Sequence, residues 1–261
     1  MEFEIIDFHT HPFIKSNSQI CVHKPAVQMT ADSLLESFKT SGVSLFCGTV
    51  IRRGIVDNDD FENIIKESND DALELYDYYK GAYYPGCMIH PFCVEESKRQ
   101  IDRFCEKGLK LMGEIVPWSY KYNHYNTDEM NEIVDYATKK GMIMNIHPED
   151  DDDMDEFVKR HKDMIIVGAH PSENVRFDRH VQRAKNNDNY YIDVSGGGIQ
   201  RYACARHLVN EIGADKVVFG SDFPISNLHM YVDGIKNDPL LTDNEKQLIL
   251  SGNAKRILNI K

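Results

Sequence analysis

The fold is decided by one stretch near the start of the chain, Phe3-Glu4-Ile5-Ile6-Asp7-Phe8-His9-Thr10-His11-Pro12. Its apolar beginning is typical of a strand in a parallel sheet, which is covered on both faces. Because side chains alternate along a strand, Asp7, His9 and His11 point the same way. Incidental core histidines are the alternative, but unpaired imidazoles and a carboxylate are costly to bury. The stretch therefore predicts a first strand that carries metal ligands at its carboxyl end, where Pro12 stops it.

The composition indicates a globular protein with a sizeable core and disfavours several other classes. A chain of 261 residues with 41% hydrophobic residues fits one domain over residues 1–261. Its net charge of -12 disfavours a nucleic-acid partner or an anionic membrane. The six cysteines form no CxxC pair, no apolar leader follows Met1, and no run reaches the ~20 apolar residues of a membrane span. We expect reduced thiols and a cytoplasmic location, and a homo-oligomer stays open beside a monomer.

Outward from the first strand, the chain alternates short apolar runs with amphipathic stretches. Eight strand–helix units over this length predict parallel strands with right-handed crossovers, and hence a (β/α)8 TIM barrel, an α/β fold with a closed sheet and outer helices. Residues 86–91 are expected to form the third short strand, and Arg201 and Tyr202 are expected to begin a helix. The connection over residues 14–30, which holds His23, is long enough to suggest a functional loop.

Polar residues recur at the carboxyl ends of the predicted strands. Four histidines precede a proline there, and two carboxylates end further strands: His11, His90, His147, His170, Glu114 and Asp222. In a parallel barrel such ends meet at one rim, where the active sites of this fold lie. Nitrogen and oxygen donors suit Zn²⁺, and also Mn²⁺ or Fe²⁺, with one or two ions per chain. The pattern predicts a divalent metal site that binds a small-molecule substrate.

Several residues near the predicted rim are candidates for substrate binding. Arg52 and Arg53 could pair with a carboxylate, although two solvated loop arginines are the alternative. The loop with Trp118 and Tyr120 could form a pocket wall, or could simply pack on itself. Arg201 follows three glycines that leave the seventh strand, a region where barrels often bind phosphate.

The chain resembles the amidohydrolase superfamily, and within it the amidohydrolase-related (amidohydrolase 2) branch of metal-dependent barrel enzymes. The matching segments occur in family order: Ile6-Asp-Phe-His-Thr-His11, Asn145-Ile-His147, Val167-Gly-Ala-His170, Phe219-Gly-Ser-Asp-Phe-Pro224 and Ser251-Gly-Asn-Ala254. The resemblance implies that His9, His11 and His147 bind metal and that Asp222 contacts the metal and carries a proton. It implies that His170 is a second-metal ligand or a catalytic group. Glu114 matches a bridging position, with Lys110 as a weaker candidate.

The resemblance leaves four functions open. The first is hydrolysis of an amide, lactone or ester by a metal-activated water, with Asp222 as the proton shuttle. The alternative is nonoxidative decarboxylation or hydration of a small aromatic carboxylic acid at the same site. A metal-dependent deoxyribonuclease is suggested by the Gly113-Glu114 pair but disfavoured by the acidic charge. A barrel that binds a ligand without catalysis is the fourth.

Overall fold

The computed structural model describes residues 2–14, 29–52, 60–172, 175–197 and 199–260. The predicted functional loop with His23 falls almost wholly outside the described residues. Eight strands are described: β1 (Ile5–Thr10), β2 (Val43–Gly48), β3 (Tyr83–Cys87), β4 (Leu111–Ile115), β5 (Ile143–Ile146), β6 (Ile165–Gly168), β7 (Tyr190–Asp193) and β8 (Val217–Val218).

The strands form a parallel sheet in the order β1 to β8, each paired with the next along the chain. Past the short β8, the backbone returns to β1. The Phe8 amide donates to the Phe219 carbonyl at 2.9 Å, and the Asp222 amide donates to the His9 carbonyl at 2.8 Å. These bonds join the first and last strands, so the sheet is nearly closed. The predicted (β/α)8 TIM barrel is confirmed.

Helices surround the sheet, and their ends follow the local sequence. The described helices are α1 (Ala31–Thr40), α2 (Phe61–Tyr79), α3 (Val94–Glu106), α4 (Asp128–Lys139), α5 (Asp151–Arg160), α6 (Val175–Asn186), α7 (Cys204–Ile212), α8 (Leu228–Lys236), α9 (Asp243–Gln247) and α10 (Asn253–Leu258). The acidic run before α5 supplies its N-cap, because the Asp150 carboxylate accepts from the Asp153 amide at 2.9 Å. Acidic residues are favoured at this end of a helix by its dipole.

The core lies between the sheet and the helices and inside the barrel. All six residues of β1 are buried, as expected for a strand covered on both faces. On the outer side, Phe38 of α1 stacks on Phe46 of β2 with ring centroids 3.9 Å apart. The strands are therefore packed on both faces of the sheet, and this packing holds in place the strand ends that carry the polar side chains.

Three elements differ from the sequence-based expectation. Strand β3 begins at Tyr83, earlier than expected, and contains Pro85. Helix α7 begins at Cys204, so Arg201 precedes it rather than starting it. The sequence pattern does not predict helix α8, because this segment is short and contains Gly234, which is unfavourable inside a helix.

The described cysteines are all free thiols, and Cys47 and Cys87 are buried. Among the described residues, no helix is both long and apolar enough to cross a membrane.

Candidate metal centre

The carboxyl ends of β1, β4, β5, β6 and β8 bring imidazoles and carboxylates from distant parts of the chain to one rim of the barrel. The side chains that meet there are His9, His11, Glu114, His147, His170 and Asp222. Within the described residues, they form three overlapping groups whose potential ligand atoms lie within 4.8 Å of one another. All six predicted metal ligands are therefore brought together, and their role as ligands stays a prediction.

The first group lies on the β1 side of the centre. The Nε2 atoms of His9 and His11 are each 3.2 Å from Oε2 of Glu114. The same two nitrogens lie 3.7 Å and 3.4 Å from Oδ1 of Asp222. Two imidazole nitrogens and two carboxylate oxygens thus converge on one point, which is a donor set that divalent metals accept.

The second group lies on the β5 and β6 side and uses the other oxygen of Glu114. Oε1 of this carboxylate is 3.2 Å from Nε2 of His170. The ring of His147 lies 5.1 Å from the ring of His170, centroid to centroid. Glu114 therefore offers one oxygen to each group, which is the position that a bridging carboxylate would take.

The carboxylates of the centre control the protonation of its histidines. Burial alone would lower the pKa of His9, but Glu114 and Asp193 outweigh burial and hold it well above the usual value. Burial likewise opposes a charged His170, and Glu114 nevertheless raises its pKa. Burial would raise the pKa of Glu114, yet His9 and His170 keep it well below the usual value. The buried carboxylates of the centre therefore need positive charge beside them, which protonated imidazoles or a cation can supply.

Buried polar atoms without a hydrogen-bond partner indicate that the residues of this centre fit a cation. Among the described residues, four buried atoms at this rim have no hydrogen-bond partner: Glu114 Oε1, His147 Nδ1, Glu149 Oε1 and Asp222 Oδ1. Nε2 of His170 lies 3.2 Å from Oε1 of Glu114, so the imidazole faces this carboxylate oxygen. Buried polar atoms are normally paired, so a cluster of unpaired acceptors facing imidazoles suits a divalent metal.

Two residues suggested by the sequence do not belong to this centre. Both ring nitrogens of His90 are used elsewhere: Nε2 donates to the Tyr120 carbonyl at 2.9 Å, and Nδ1 accepts from the Phe92 amide at 3.1 Å. Burial lowers the pKa of His90 to about 4. Lys110 lies at the amino-terminal end of β4, where its Nζ donates to the Lys140 carbonyl at 2.7 Å, so the bridging-lysine alternative is wrong.

Of the two arginines suggested for substrate binding, the structure describes only Arg52. Arg52 already pairs with Glu67 and with Asp71, whose Oδ2 lies 2.6 Å from Nη2. Arg53 lies outside the described residues. The role of both arginines in binding a substrate carboxylate stays a prediction.

Of the two aromatic candidates, Trp118 lies beside a ligand of the centre, and Tyr120 lies beside the ring of His90. The indole of Trp118 is half-exposed and meets the ring of His147 edge-on at 6.2 Å. Tyr120 is buried, and Arg201 is exposed at the turn before α7. The ring contact of Trp118 with a candidate ligand suits a pocket wall.

The sequence pattern does not identify the residues that form hydrogen bonds with the outer ring nitrogens of the candidate ligands. Asp193 at the end of β7 lies 3.0 Å from Nδ1 of His9, and Asn145 of β5 donates to the same carboxylate at 2.9 Å. Ser195 lies within hydrogen-bond distance of both His9 and His170. The signal that could have revealed them is their place at a strand's carboxyl end, where Asp193 and Ser195 repeat the alternation of His9 and His11.

The chain has clear relatives in fold. A family model described as Amidohydrolase matches residues 6–260. No curated protein matches the chain in sequence. Among solved structures, 2,6-dihydroxybenzoate decarboxylase from Rhizobium is similar, with a TM-score of 0.77, 13% identity and 99% of each chain covered.

Two further solved structures share the whole fold. The 5-carboxyvanillate decarboxylase from Sphingomonas paucimobilis has a TM-score of 0.70 and 15% identity, with 100% of each chain covered. A dihydroxybenzoic acid decarboxylase from Polaromonas, with bound manganese and the inhibitor 2-nitroresorcinol, has a TM-score of 0.74 and 13% identity. That likeness covers 99% of this chain and 97% of the other. At such identities the likeness shows a common barrel.

Proposed function

The chain belongs to the amidohydrolase family, and from this premise we propose that it is a metal-dependent enzyme that decarboxylates a small aromatic carboxylic acid. The observation that carries the proposal is a buried histidine–carboxylate centre at the rim of a barrel that is similar, over its full length, to decarboxylases of dihydroxybenzoates and 5-carboxyvanillate. We take residues 1–261 to form one catalytic domain.

A divalent metal is supported by the donor set and by the manganese in a similar structure. His9, His11, Glu114 and Asp222 would hold it, and His147 with His170 would complete a second position on Glu114. When bound, the metal would hold and polarise the substrate's carboxyl group or an adjacent hydroxyl. Mixed nitrogen and oxygen donors suit Zn²⁺ as well as Mn²⁺.

The residues of the chain would then move the proton that decarboxylation requires. The carboxyl-bearing ring carbon gains a proton, the bond to the carboxyl group breaks, and its electron pair returns to the ring as CO₂ leaves. Asp222 is the candidate donor, because its Oδ1 is buried at the centre and lies 3.4 Å from Nε2 of His11. His170, in the other half of the centre, is the second candidate for holding this proton.

The wall beside the centre would orient the ring. Trp118 contacts His147 and still has about half of its surface, 49%, exposed, so an aromatic substrate could lie against it. Tyr120 and Arg201 remain candidates for contacts farther out. We also keep the expectation of a cytoplasmic enzyme.

Hydrolysis of a lactone, ester or amide is the second candidate, and one observation favours it. Glu114 places one oxygen 3.2 Å from the β1 histidines and the other 3.2 Å from His170. A carboxylate shared by two donor groups suits a pair of metals, an arrangement that is common where water is the attacking group.

A single assay separates the two reactions. The protein, loaded with Mn²⁺ or with Zn²⁺, is incubated with a panel of hydroxybenzoic acids and with a panel of lactones, esters and amides. We expect CO₂ and the decarboxylated phenol in equal amounts from at least one acid. Cleavage of the second panel with no CO₂ from the first would overturn decarboxylation in favour of hydrolysis.

The role of Asp222 is tested by Asp222→Asn. The amide keeps an oxygen for the metal but cannot carry the proton, so we expect metal to be retained and kcat to fall by ~10²–10⁴-fold. The matched control is Asp163→Asn, the same change at an exposed position, which should leave kcat unchanged. Undiminished turnover by Asp222→Asn would remove this residue from the proton transfer.

A further inference from the structure

We propose that Asp193 and Ser195 are positioning residues that fix the tautomers of His9 and His170. Asp193 is the last residue of β7, and Ser195 lies two residues beyond it, on the same face. Among the described residues of β7, none belongs to the metal centre itself. The inference rests on the metal centre of the proposed function but on neither of its candidate reactions.

The carboxylate of Asp193 accepts a full set of hydrogen bonds. Its Oδ2 lies 3.0 Å from Nδ1 of His9 and accepts from the amide of Asn145 at 2.9 Å. Its Oδ1 accepts from the backbone amide of Ser195 at 3.0 Å and also from the hydroxyl of Ser195. Each of these partners must act as a donor, because an ionised carboxylate can only accept. His9 therefore carries a proton on Nδ1.

The proton of the Ser195 hydroxyl decides the state of His170. A hydroxyl has a single proton, and here it is donated to Asp193, so the oxygen can only accept from its other neighbours. Oγ of Ser195 lies 3.1 Å from Nδ1 of His170 and 3.0 Å from Nδ1 of His9. His170 must then also carry its proton on Nδ1. In both rings, the neutral tautomer with Nδ1–H leaves a lone pair on Nε2, the atom that faces Glu114.

The surroundings hold this network in place. Asp193, Ser195 and Asn145 are buried, so water does not compete for their hydrogen bonds. Asn145 uses its second N–H on the Val167 carbonyl at 3.0 Å. Gly220 leaves the necessary space, because a Cβ there would lie 2.7 Å from Cβ of His9 and 3.3 Å from Oδ1 of Asp193. One network thus orients one histidine in each half of the centre.

The two positioning residues should affect the metal differently. In Asp193→Asn the new amide can donate to Nδ1 of His9, which would move the ring proton to Nε2 and block that ligand. We expect the affinity for Zn²⁺ to fall by about 10–100-fold, the usual effect of losing such a partner. Ser195→Ala removes the acceptor of His170 but leaves His9 paired with Asp193, so the loss should be confined to the half with His170. Ser195→Thr keeps a hydroxyl and should restore binding.

The test combines Zn²⁺ affinity, measured by competition with a chelator, with long-range ¹H–¹⁵N correlation spectra of the histidine rings in the zinc-loaded protein. In the wild type we expect His9 and His170 to show Nδ1–H. The variants should lose affinity as described, and the spectrum of Asp193→Asn should show a changed His9 ring. Circular dichroism verifies that each variant is folded, and Asp163→Asn is the surface control.

Wild-type affinity and unchanged ring spectra in both Asp193→Asn and Ser195→Ala would overturn the inference while the metal centre stands. A wild-type protein that binds no Zn²⁺ would instead remove the metal centre, and the proposed function and this inference with it. If Asp193→Asn fails to fold, Ser195→Ala and its threonine rescue decide the question alone.

Discussion

Two buried histidines show how differently an imidazole can be accommodated in this barrel. His9 is surrounded by carboxylates that overcome its burial and keep its pKa high. For His180 of α6, burial, with Arg183 and Arg176 next in importance, outweighs the opposing effect of Asp193 and lowers the pKa to about 3. Its Nδ1 pairs with the hydroxyl of Tyr190 at 2.8 Å. His180 therefore stays neutral in the fold, while an unfolded chain would protonate it.

This difference predicts a pH dependence of stability. Below the unfolded pKa of 6.5 the unfolded state binds a proton that the folded state excludes, so the free energy of unfolding should fall as the pH drops from about 6.5 toward about 3. The slope from one such group is at most about 1.4 kcal/mol per pH unit. His180→Gln should flatten this slope, and His207→Gln, at an exposed position, should not. Urea unfolding with a chelator present measures it, and equal slopes for His180→Gln and wild type would contradict the account.

At the scale of elements, buried side chains of β7 and α6 lie so close to the end of β6 that its last residue, Gly168, has no room for a Cβ. A Cβ on Gly168 would lie 2.0 Å from the hydroxyl of Tyr190 and 3.0 Å from Cε1 of His180. The end of β6 thus rests against buried side chains of β7 and α6. His170 lies two residues beyond Gly168, so this contact helps to position the backbone that carries that candidate ligand.

Gly168→Ala should therefore destabilise the fold, whereas the same change in an open helix should not. Overpacking of this kind costs about 1–3 kcal/mol in the free energy of unfolding. Gly234 in α8 is exposed and nothing lies within 4 Å of a Cβ built there, so Gly234→Ala should stabilise by about 0.5–1 kcal/mol. Urea unfolding of both variants provides the comparison, and a Gly168→Ala protein as stable as the wild type would show that the contact is not tight.

Local patterns in the sequence predict most strands and helices, but they do not predict contacts between residues that are distant in the chain. Strand β1 could be predicted because its apolar run ends in a proline, and the barrel followed from the repetition of such runs. The sequence pattern places the start of β3 too late because Pro85 predicts a strand break, although a proline is tolerated where no ladder bond is lost. Asp193 was missed because its partner, His9, is distant in the chain, and only the folded barrel shows that they meet.

At the scale of the whole molecule, closure of the barrel is what creates the site. The bonds that join β1 to the segment after β8 bring His9 and Asp222 together from opposite ends of the chain. Decarboxylases with 13% and 15% identity share the full-length fold, so the architecture persists while most side chains differ. The chain's acidic surface, with a net charge of -12, suits a small substrate or a cation better than a nucleic acid.

The central claim is that one rim of the barrel holds a divalent metal, and anomalous diffraction from crystals grown with Mn²⁺ tests it most directly. The account predicts one or two manganese peaks enclosed by the six converging side chains, His9, His11, Glu114, His147, His170 and Asp222. A map with manganese elsewhere on the protein and none within this cluster would contradict it.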